Sequence, residues 1–283
     1  MRTLCLVTSM ALAAPVLVRS QQPAFSSKVE AVRVDALVTE RGQPVRGLTA
    51  ADFEVLDNGV AQAVDLVSFE QVPLNLVLVF DMSSSVVGER LDHLREGART
   101  VLGGLKHDDQ AGLITFSHMI VRGSELTTDL DRVRGALRGT FWPGETSLID
   151  AVYSAIVVGE SDVGRALLIV FSDGLDTASW LTPDAVLDTA KRSDVVVYGV
   201  AAGGSPRMSF LHDLGELTGG ALLDAGSSEN LGATFERILQ EFRQRYLISY
   251  SPRGVPRPGW HRLDVRVKGR AATVKARPGY LAD

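Results

Sequence analysis

Residues 74–80 form a near-continuous apolar run, Leu-Asn-Leu-Val-Leu-Val-Phe, that stops abruptly at Asp81. A run of this kind predicts a strand buried on both faces of a parallel sheet. Residues 166–171 repeat the pattern and end at Ser172-Asp173-Gly174. Between and after these runs the period changes to that of helices. Leu91, Leu94, Ala98, Val101, Leu102 and Leu105 predict one helix over 87–105, and residues 148–158 predict another. Val133, Ala136 and Leu137 mark a helix between them, and Thr182-Pro183 reads as a cap and first-turn proline leading to Lys191. Strands are expected at 111–116, 119–121, 194–200 and 221–223, and helices at 208–217 and 230–242. This alternation predicts a doubly wound, mostly parallel α/β sheet.

Both flanks read differently. Val32, Val34, Ala36 and Val38 alternate with polar residues, as in a half-buried strand. Thr49 is placed to cap a short helical turn. Residues 53–56 and 64–67 flank Asp57-Asn58-Gly59, a hairpin signal. After residue 245 the chain is again β-rich, with Tyr246-Leu247-Ile248-Ser249-Tyr250 and an alternating segment through Leu263, Val265 and Val267. Each flank is too small to bury a core alone. The expected organisation is a β segment at 29–71 and another at 245–283 that pair into one β-sandwich-like domain, with an α/β domain at 72–244 inserted between them.

The first residues change the picture of where the chain works. Arg2, the apolar segment 4–18 and Val18-Arg19-Ser20 predict a secretory signal peptide over 1–20, followed by a polar linker at 21–28. A membrane anchor is the other reading, but the apolar segment is about 15 residues where a spanning helix needs roughly 20. No transmembrane segment is expected in the mature chain, and export to the periplasm, cell surface or medium is. Cys5 is the single cysteine, so the mature chain would rely on its core and any bound metal rather than on disulfides. A net charge of -5 argues against a nucleic-acid partner.

The chemistry gathers at strand ends. Asp81, Ser83 and Ser85 follow the first buried strand, Thr146 opens the helix at Leu148, and Asp173 follows the second buried strand. In a right-handed doubly wound sheet these loops share one edge. Two acids and three hydroxyls, without His or Cys, select Mg²⁺, Mn²⁺ or Ca²⁺ over zinc. Glu145 and Asp176 are expected at the rim of the same site. The competing reading of Asp81 and Ser83 is helix capping, and of Asp173-Gly174 a plain turn. The five histidines, the pair Asp108-Asp109 and the basic residues of the C-terminal segment are expected at the surface.

Asp81-x-Ser83-x-Ser85, then Thr146, then Asp173 in a Ser-Asp-Gly turn resemble the metal-ion-dependent adhesion site of the von Willebrand factor type A (vWA) domain. The resemblance covers roughly residues 72–244 and implies a Rossmann-like vWA fold. It further implies that Ser83 and Ser85 bind the cation directly, Thr146 directly when ligand is engaged, and Asp81 and Asp173 mainly through waters. A carboxylate from an Asp or Glu of a protein partner would complete the sphere. Glu145 departs from the family, where a small residue often precedes the threonine. The segments 45–59, 246–250 and 277–280 also resemble those flanking a secreted, acidobacterial-type subgroup. In the family the last helix, here about residues 230–244, moves on ligand engagement.

Three functions follow as expectations. The first is an exported, metal-dependent protein-binding module for adhesion or assembly, not an enzyme. The second is a scaffold whose metal rigidifies the loops. The third is a metal-assisted hydrolase, which needs a general base beside the metal. Asp176 or Glu145 would have to serve, and neither comes with a His or Lys partner in the sequence. Neither the oligomeric state nor the partner's identity follows from the residues.

Overall fold

The computed structural model describes residues 31–139, 144–160, 163–173, 175–202, 208–256 and 258–282. The expected signal peptide, linker and Cys5 lie outside them. The chain opens with β1 (Val32–Glu40), β2 (Gln43–Pro44), β3 (Phe53–Asp57), β4 (Val60–Gln62) and β5 (Val64–Phe69). The α/β stretch follows as β6 (Leu74–Asp81), α1 (Glu89–Gly103), β7 (Gln110–Phe116), β8 (Ile120–Thr127), α2 (Leu130–Gly139) and α3 (Leu148–Gly159). It continues with β9 (Arg165–Phe171), α4 (Pro183–Arg192), β10 (Val196–Ala201), α5 (Ser209–Thr218), β11 (Ala221–Asp224) and α6 (Leu231–Arg243). The chain closes with β12 (Arg245–Tyr250), β13 (Gly259–Val267), β14 (Thr273–Lys275) and β15 (Gly279–Ala282).

The central sheet has the order β11-β10-β9-β6-β7-β8. All neighbours are parallel except β8, which returns antiparallel beside β7. Strand alternation divides the core into two layers. Leu74, Leu76, Leu78 and Phe80 of β6 pack with α1, α2 and α6, while Val77 and Val79 face α3, α4 and α5. The doubly wound, mostly parallel arrangement is therefore present, and β6 is buried along its whole length.

The two flanks share their sheets. β12 lies antiparallel between β1 and β5, and β14 and β2 add to β1. A second antiparallel sheet runs β15-β13-β3-β4. Val34, Ala36, Tyr246 and Ile248 from the first sheet and Phe53, Val55, Leu263 and Val267 from the second form one apolar cluster. The hairpin expected between 53–56 and 64–67 is different in detail. Asn58 and Gly59, both at positive φ, turn β3 into β4, whereas β5 crosses to the other sheet beside β12. The two-residue turn leaves room only for the nearer strand as partner.

Three expectations of surface residues are corrected. His261 is buried, with Nδ1 2.7 Å from Asp57 Oδ1, and the hydroxyls of Tyr250 and Tyr280 donate to Asp57 Oδ2 at 2.9 and 2.8 Å. Asp109 is also buried. It accepts from the Leu74 and Lys106 amides and from Arg243 Nη2 at 2.6 Å, while Asp108 stays at the surface. Arg277 leaves the solvated basic face and inserts against the α/β stretch, donating to the Ser193 and Lys191 carbonyls at 2.7 and 2.8 Å. Each is a polar group at low exposure with partners far away in sequence, the condition under which burial is tolerated.

Candidate metal centre

The site stands at the carboxyl edge of the central sheet. β6 delivers Asp81 fully buried at its last position. Asp81 Oδ1 accepts the Ser83 amide at 2.8 Å and Oδ2 accepts the Ser172 hydroxyl at 2.6 Å. Asp81 thus ties the loop after β6 to the end of β9. Burial pushes its carboxyl above the usual range; the hydrogen bonds from Ser172 and Ser83 oppose this and the nearby Asp173 charge adds to it.

The next oxygens form a chain. Ser83 Oγ lies 3.1 Å from Ser85 Oγ, and Ser85 Oγ donates to Asp173 Oδ1 at 2.7 Å. Two ligands at right angles on Mg²⁺, each about 2.1 Å from the ion, stand about 3.0 Å apart. Consecutive oxygens of this chain, at 3.1 and 2.7 Å, thus have about the spacing of adjacent corners of an octahedral shell. The donor set is all oxygen and mixes carboxylates with hydroxyls. Among the described residues no group of three His, Cys, Asp or Glu is gathered that could hold a metal, so the donor set here depends on hydroxyls beside the two carboxylates. The residues fit a hard cation.

Thr146 is buried and its loop is held from both sides. Its amide donates to Thr177 Oγ1 at 2.9 Å, and its carbonyl accepts from the Thr177 and Ala178 amides at 2.8 and 3.1 Å. On the other side the Ser84 amide donates to the Gly144 carbonyl and the Ser147 amide to the Ser117 carbonyl. A Cβ at Gly144 would lie 2.1 Å from His118 Nδ1, so a larger residue there would have to displace the exposed His118 ring of the β7–β8 turn. Glu145 is exposed beside Thr146. Asp176 is differently placed. Its Oδ1 accepts the Ile149 amide at 3.2 Å and the Ser179 hydroxyl at 2.5 Å, at the positive end of α3.

Sequence reasoning missed Arg90. Its guanidinium pairs with Asp173 Oδ2 and reaches the Ser85 carbonyl at 3.4 Å. It sits in the first turn of α1, where the helix dipole disfavours a cation. A basic residue in that turn, five positions after an Asp-x-Ser-x-Ser loop, was the available signal that an acid stands opposite.

The von Willebrand factor type A domain profile matches residues 75–237, more than half of the chain. The chain belongs to the von Willebrand factor type A domain family. Domains of this family mediate binding between proteins. Two curated relatives are inter-alpha-trypsin inhibitor heavy chains: H6 of Homo sapiens, 23% identical over 159 residues, and H4 of Bos taurus, 24% identical over 177 residues. Those alignments cover 50% and 58% of this chain but only 12% and 19% of the relatives, so the match is to a small part of much longer proteins. Among solved structures, proximal thread matrix protein 1 from the mussel byssus is similar with a TM-score of 0.54 and 15% identity, covering 60% of this chain and 48% of that one. The D319A mutant of the PilB minor pilin from Streptococcus sanguinis is similar with a TM-score of 0.51 and 14% identity, covering 62% of each. At these identities the structures speak to the fold. No helix among the described residues is long and apolar enough to cross a membrane.

Proposed function

We propose that this chain is an exported, divalent-metal-dependent protein-binding module for adhesion or assembly. Asp81, Ser83, Ser85, Thr146 and Asp173 would hold Mg²⁺, with Mn²⁺ or Ca²⁺ as substitutes, and the bound ion would capture an Asp or Glu carboxylate of a protein partner. The observation that carries this is the oxygen chain Ser83–Ser85–Asp173 at octahedral-edge spacing above the buried Asp81. A cation held at this place would supply an electrophilic centre for a carboxylate, a hard anionic ligand that a protein partner can offer. Ser83, Ser85 and Asp173 would hold the ion, and the buried Asp81 fixes the loop that carries the two serines by accepting the Ser83 amide.

The hydrolase reading loses one of its two candidate bases, because Asp176 is engaged by the start of α3. Glu145 is the other candidate base, and our reading of the chain as a non-enzymatic binder rests on the absence of a His or Lys partner for either acid in the sequence. The paired flanks with their common cluster support reading 29–71 and 245–283 as one sandwich-like domain; membership of the secreted, acidobacterial-type subgroup rests on the resemblance of segments 45–59, 246–250 and 277–280 alone. The test is calorimetric titration of the chelator-stripped protein with Mg²⁺, Mn²⁺ and Ca²⁺ beside Asp81→Ala. Saturable binding lost in the variant is the expected result, and equal binding by both proteins sinks the assignment. Thr146→Ala separates binder from scaffold: a binder keeps its thermal stability and loses its ligand, a scaffold loses stability with its metal.

A further inference from the structure

Asp57 ends β3 wholly buried, inside the pair of sheets that the two flanks build together. Its carboxylate gathers side chains from three other strands. His261 of β13 places Nδ1 2.7 Å from Oδ1. Tyr250 of β12 and Tyr280 of β15 donate to Oδ2 at 2.9 and 2.8 Å, and Tyr280 Oη also lies 3.1 Å from His261 Nδ1. The rings of His261 and Tyr280 stack with centroids 4.6 Å apart, which fixes the direction of both polar tips. Tyr280 is only half-buried and stands on β15, the edge strand of its sheet, so one side of the cluster is near solvent.

A carboxylate taken this far from water is stable only beside positive charge or a full set of donors. Among the described residues no Lys or Arg pairs with Asp57; its neighbours are an imidazole and two phenols. Burial pushes the Tyr250 and Tyr280 hydroxyls above the ordinary tyrosine value, and the charge of Asp57 adds to this. The same four side chains are a hard donor set, three oxygens and one imidazole nitrogen. Ligand atoms on an octahedral ion at about 2.0 Å stand about 2.8 Å apart, and the contacts in this cluster run from 2.7 to 3.1 Å. Two phenols give up their protons near neutral pH only to a strong Lewis acid. Mg²⁺ and Ca²⁺ prefer carboxylates, carbonyls and water. A trivalent ion matches the three negative charges that one carboxylate and two phenolates carry.

We infer that Asp57, Tyr250, Tyr280 and His261 form a metal centre in the flanking sheets, separate from the one at the carboxyl edge of the central sheet, for a small, hard trivalent cation of the ferric iron class. On binding, the ion displaces the phenol protons of Tyr250 and Tyr280 to water and takes the Nδ1 lone pair of a neutral His261, whose proton rests on Nε2. No electron is transferred, and the iron enters and stays ferric. One ion would then join β3, β12, β13 and β15, two strands that precede the α/β stretch or leave it directly and two that close the chain. The centre stands or falls independently of the function proposed above.

The probe is ferric nitrilotriacetate, added to the folded full chain and, in a second preparation, present while the denatured chain refolds, because the donors are deep. After gel filtration the protein is expected to hold about one iron per chain and to show the visible absorption of phenolate-to-iron charge transfer, which neither the metal-free protein nor the chelate shows. An excess of Mg²⁺ should leave that band unchanged. Tyr250→Phe and Tyr280→Phe should each shift and weaken the band and lower iron affinity about tenfold or more, and the double variant should lose the band. Thermal unfolding checks that each variant folds. Tyr280→Phe, at the half-buried edge position, carries the comparison alone if Tyr250→Phe does not fold. Colourless, iron-free protein from both preparations shows a hydrogen-bonded hub that holds no metal and overturns the centre. Iron bound without the band, a band displaced by Mg²⁺, or a band unchanged in Tyr280→Phe overturns it as well.

Discussion

Ser85 Oγ donates to Asp173 Oδ1 across 2.7 Å although the two residues are 88 positions apart, and Arg90 holds the other oxygen of the same carboxylate. One acid therefore serves both a hydroxyl of the loop after β6 and the Arg90 guanidinium. A divalent ion held at this corner, as proposed above, would stand near the guanidinium's positive charge and compete for the Ser85 and Asp173 oxygens. The Arg90 side chain is about one-third exposed, so the repulsion is screened and worth about 1 kcal/mol.

Arg90→Gln is accordingly expected to bind Mg²⁺ about fivefold more tightly than the natural chain. Calorimetry of the two chelator-stripped proteins decides it. Weaker binding in the variant would mean that Arg90 positions Asp173 for the ion rather than competing with it. The same variant should lose some of its preference for an acidic partner, because a positive charge beside the carboxylate position is gone.

The central sheet and the gathering of Asp81, Ser83, Ser85 and Asp173 were legible in the sequence because each rests on a local signal. A strand buried on both faces must be apolar along its length, as β6 and β9 are, and the residues that follow such strands meet at one edge by topology alone. What stayed hidden depends on partners far along the chain. Nothing near Asp109 announces that Arg243 will cover it, and nothing near His261 announces Asp57. The basic run around Arg277 looks like a solvated face until the carbonyls of Ser193 and Lys191 are placed over it. β4 was missed because it is only three residues long, and a strong turn signal can be assigned to either of two following strands.

The flanking sheets are tied to the α/β stretch by a buried ion pair between Asp35 on β1 and Arg165 at the start of β9. Arg165 Nε donates to Asp35 Oδ1 at 2.6 Å, and both side chains are almost wholly buried. Asp35→Ala leaves the guanidinium buried and unpaired, which costs about 3–5 kcal/mol. Urea unfolding followed by tryptophan fluorescence should show that loss. Asp35→Leu combined with Arg165→Met should recover most of it, since an apolar pair of similar volume removes the desolvation penalty of both charges. A double variant no more stable than the single would show that Arg165 is needed for its contact with the Phe242 carbonyl instead.

Acid should weaken the same seam through Glu241. Burial by itself would raise this carboxyl, but the Tyr198 hydroxyl, Lys275 and Arg245 outweigh it and hold it below the ordinary glutamate value of 4.5. The folded state therefore binds this proton less readily than the unfolded chain. The stabilisation is present above about pH 4.5 and is lost as pH falls through the lower folded value. Glu241→Gln is expected to be less stable than the natural chain at neutral pH, with the gap narrowing steadily below about pH 4.5. A gap that stays constant on acidification would assign the loss to packing rather than to the charge. The check is a pair of thermal denaturation series across the acid range.

The family resemblance implies that α6 moves when ligand is engaged. Here its final turn is anchored from three directions. Arg243 Nη2 donates to Asp109 Oδ2 at 2.6 Å and to the Gly104 carbonyl at 3.0 Å. Glu241 accepts from Tyr198 and from Lys275 of β14. Arg245, the first residue of β12, is fully buried and donates to the Gly219 carbonyl and the Tyr198 hydroxyl, both at 2.7 Å. A slide of one helical turn is about 5.4 Å, further than any of these bonds stretches, so it would take Arg243, the counter-charge of the buried Asp109, away from it and pull the buried Arg245 from the Gly219 and Tyr198 oxygens. The amides at 239–245 should then exchange at the same rate in chelator, in Mg²⁺ and in Mg²⁺ with a bound peptide, while those of the loops at 82–88 and 144–148 slow. Exchange that quickens at 239–245 on ligand binding would show that the anchors release together. In that case Asp109→Asn, by loosening one of them, should make the quickening larger.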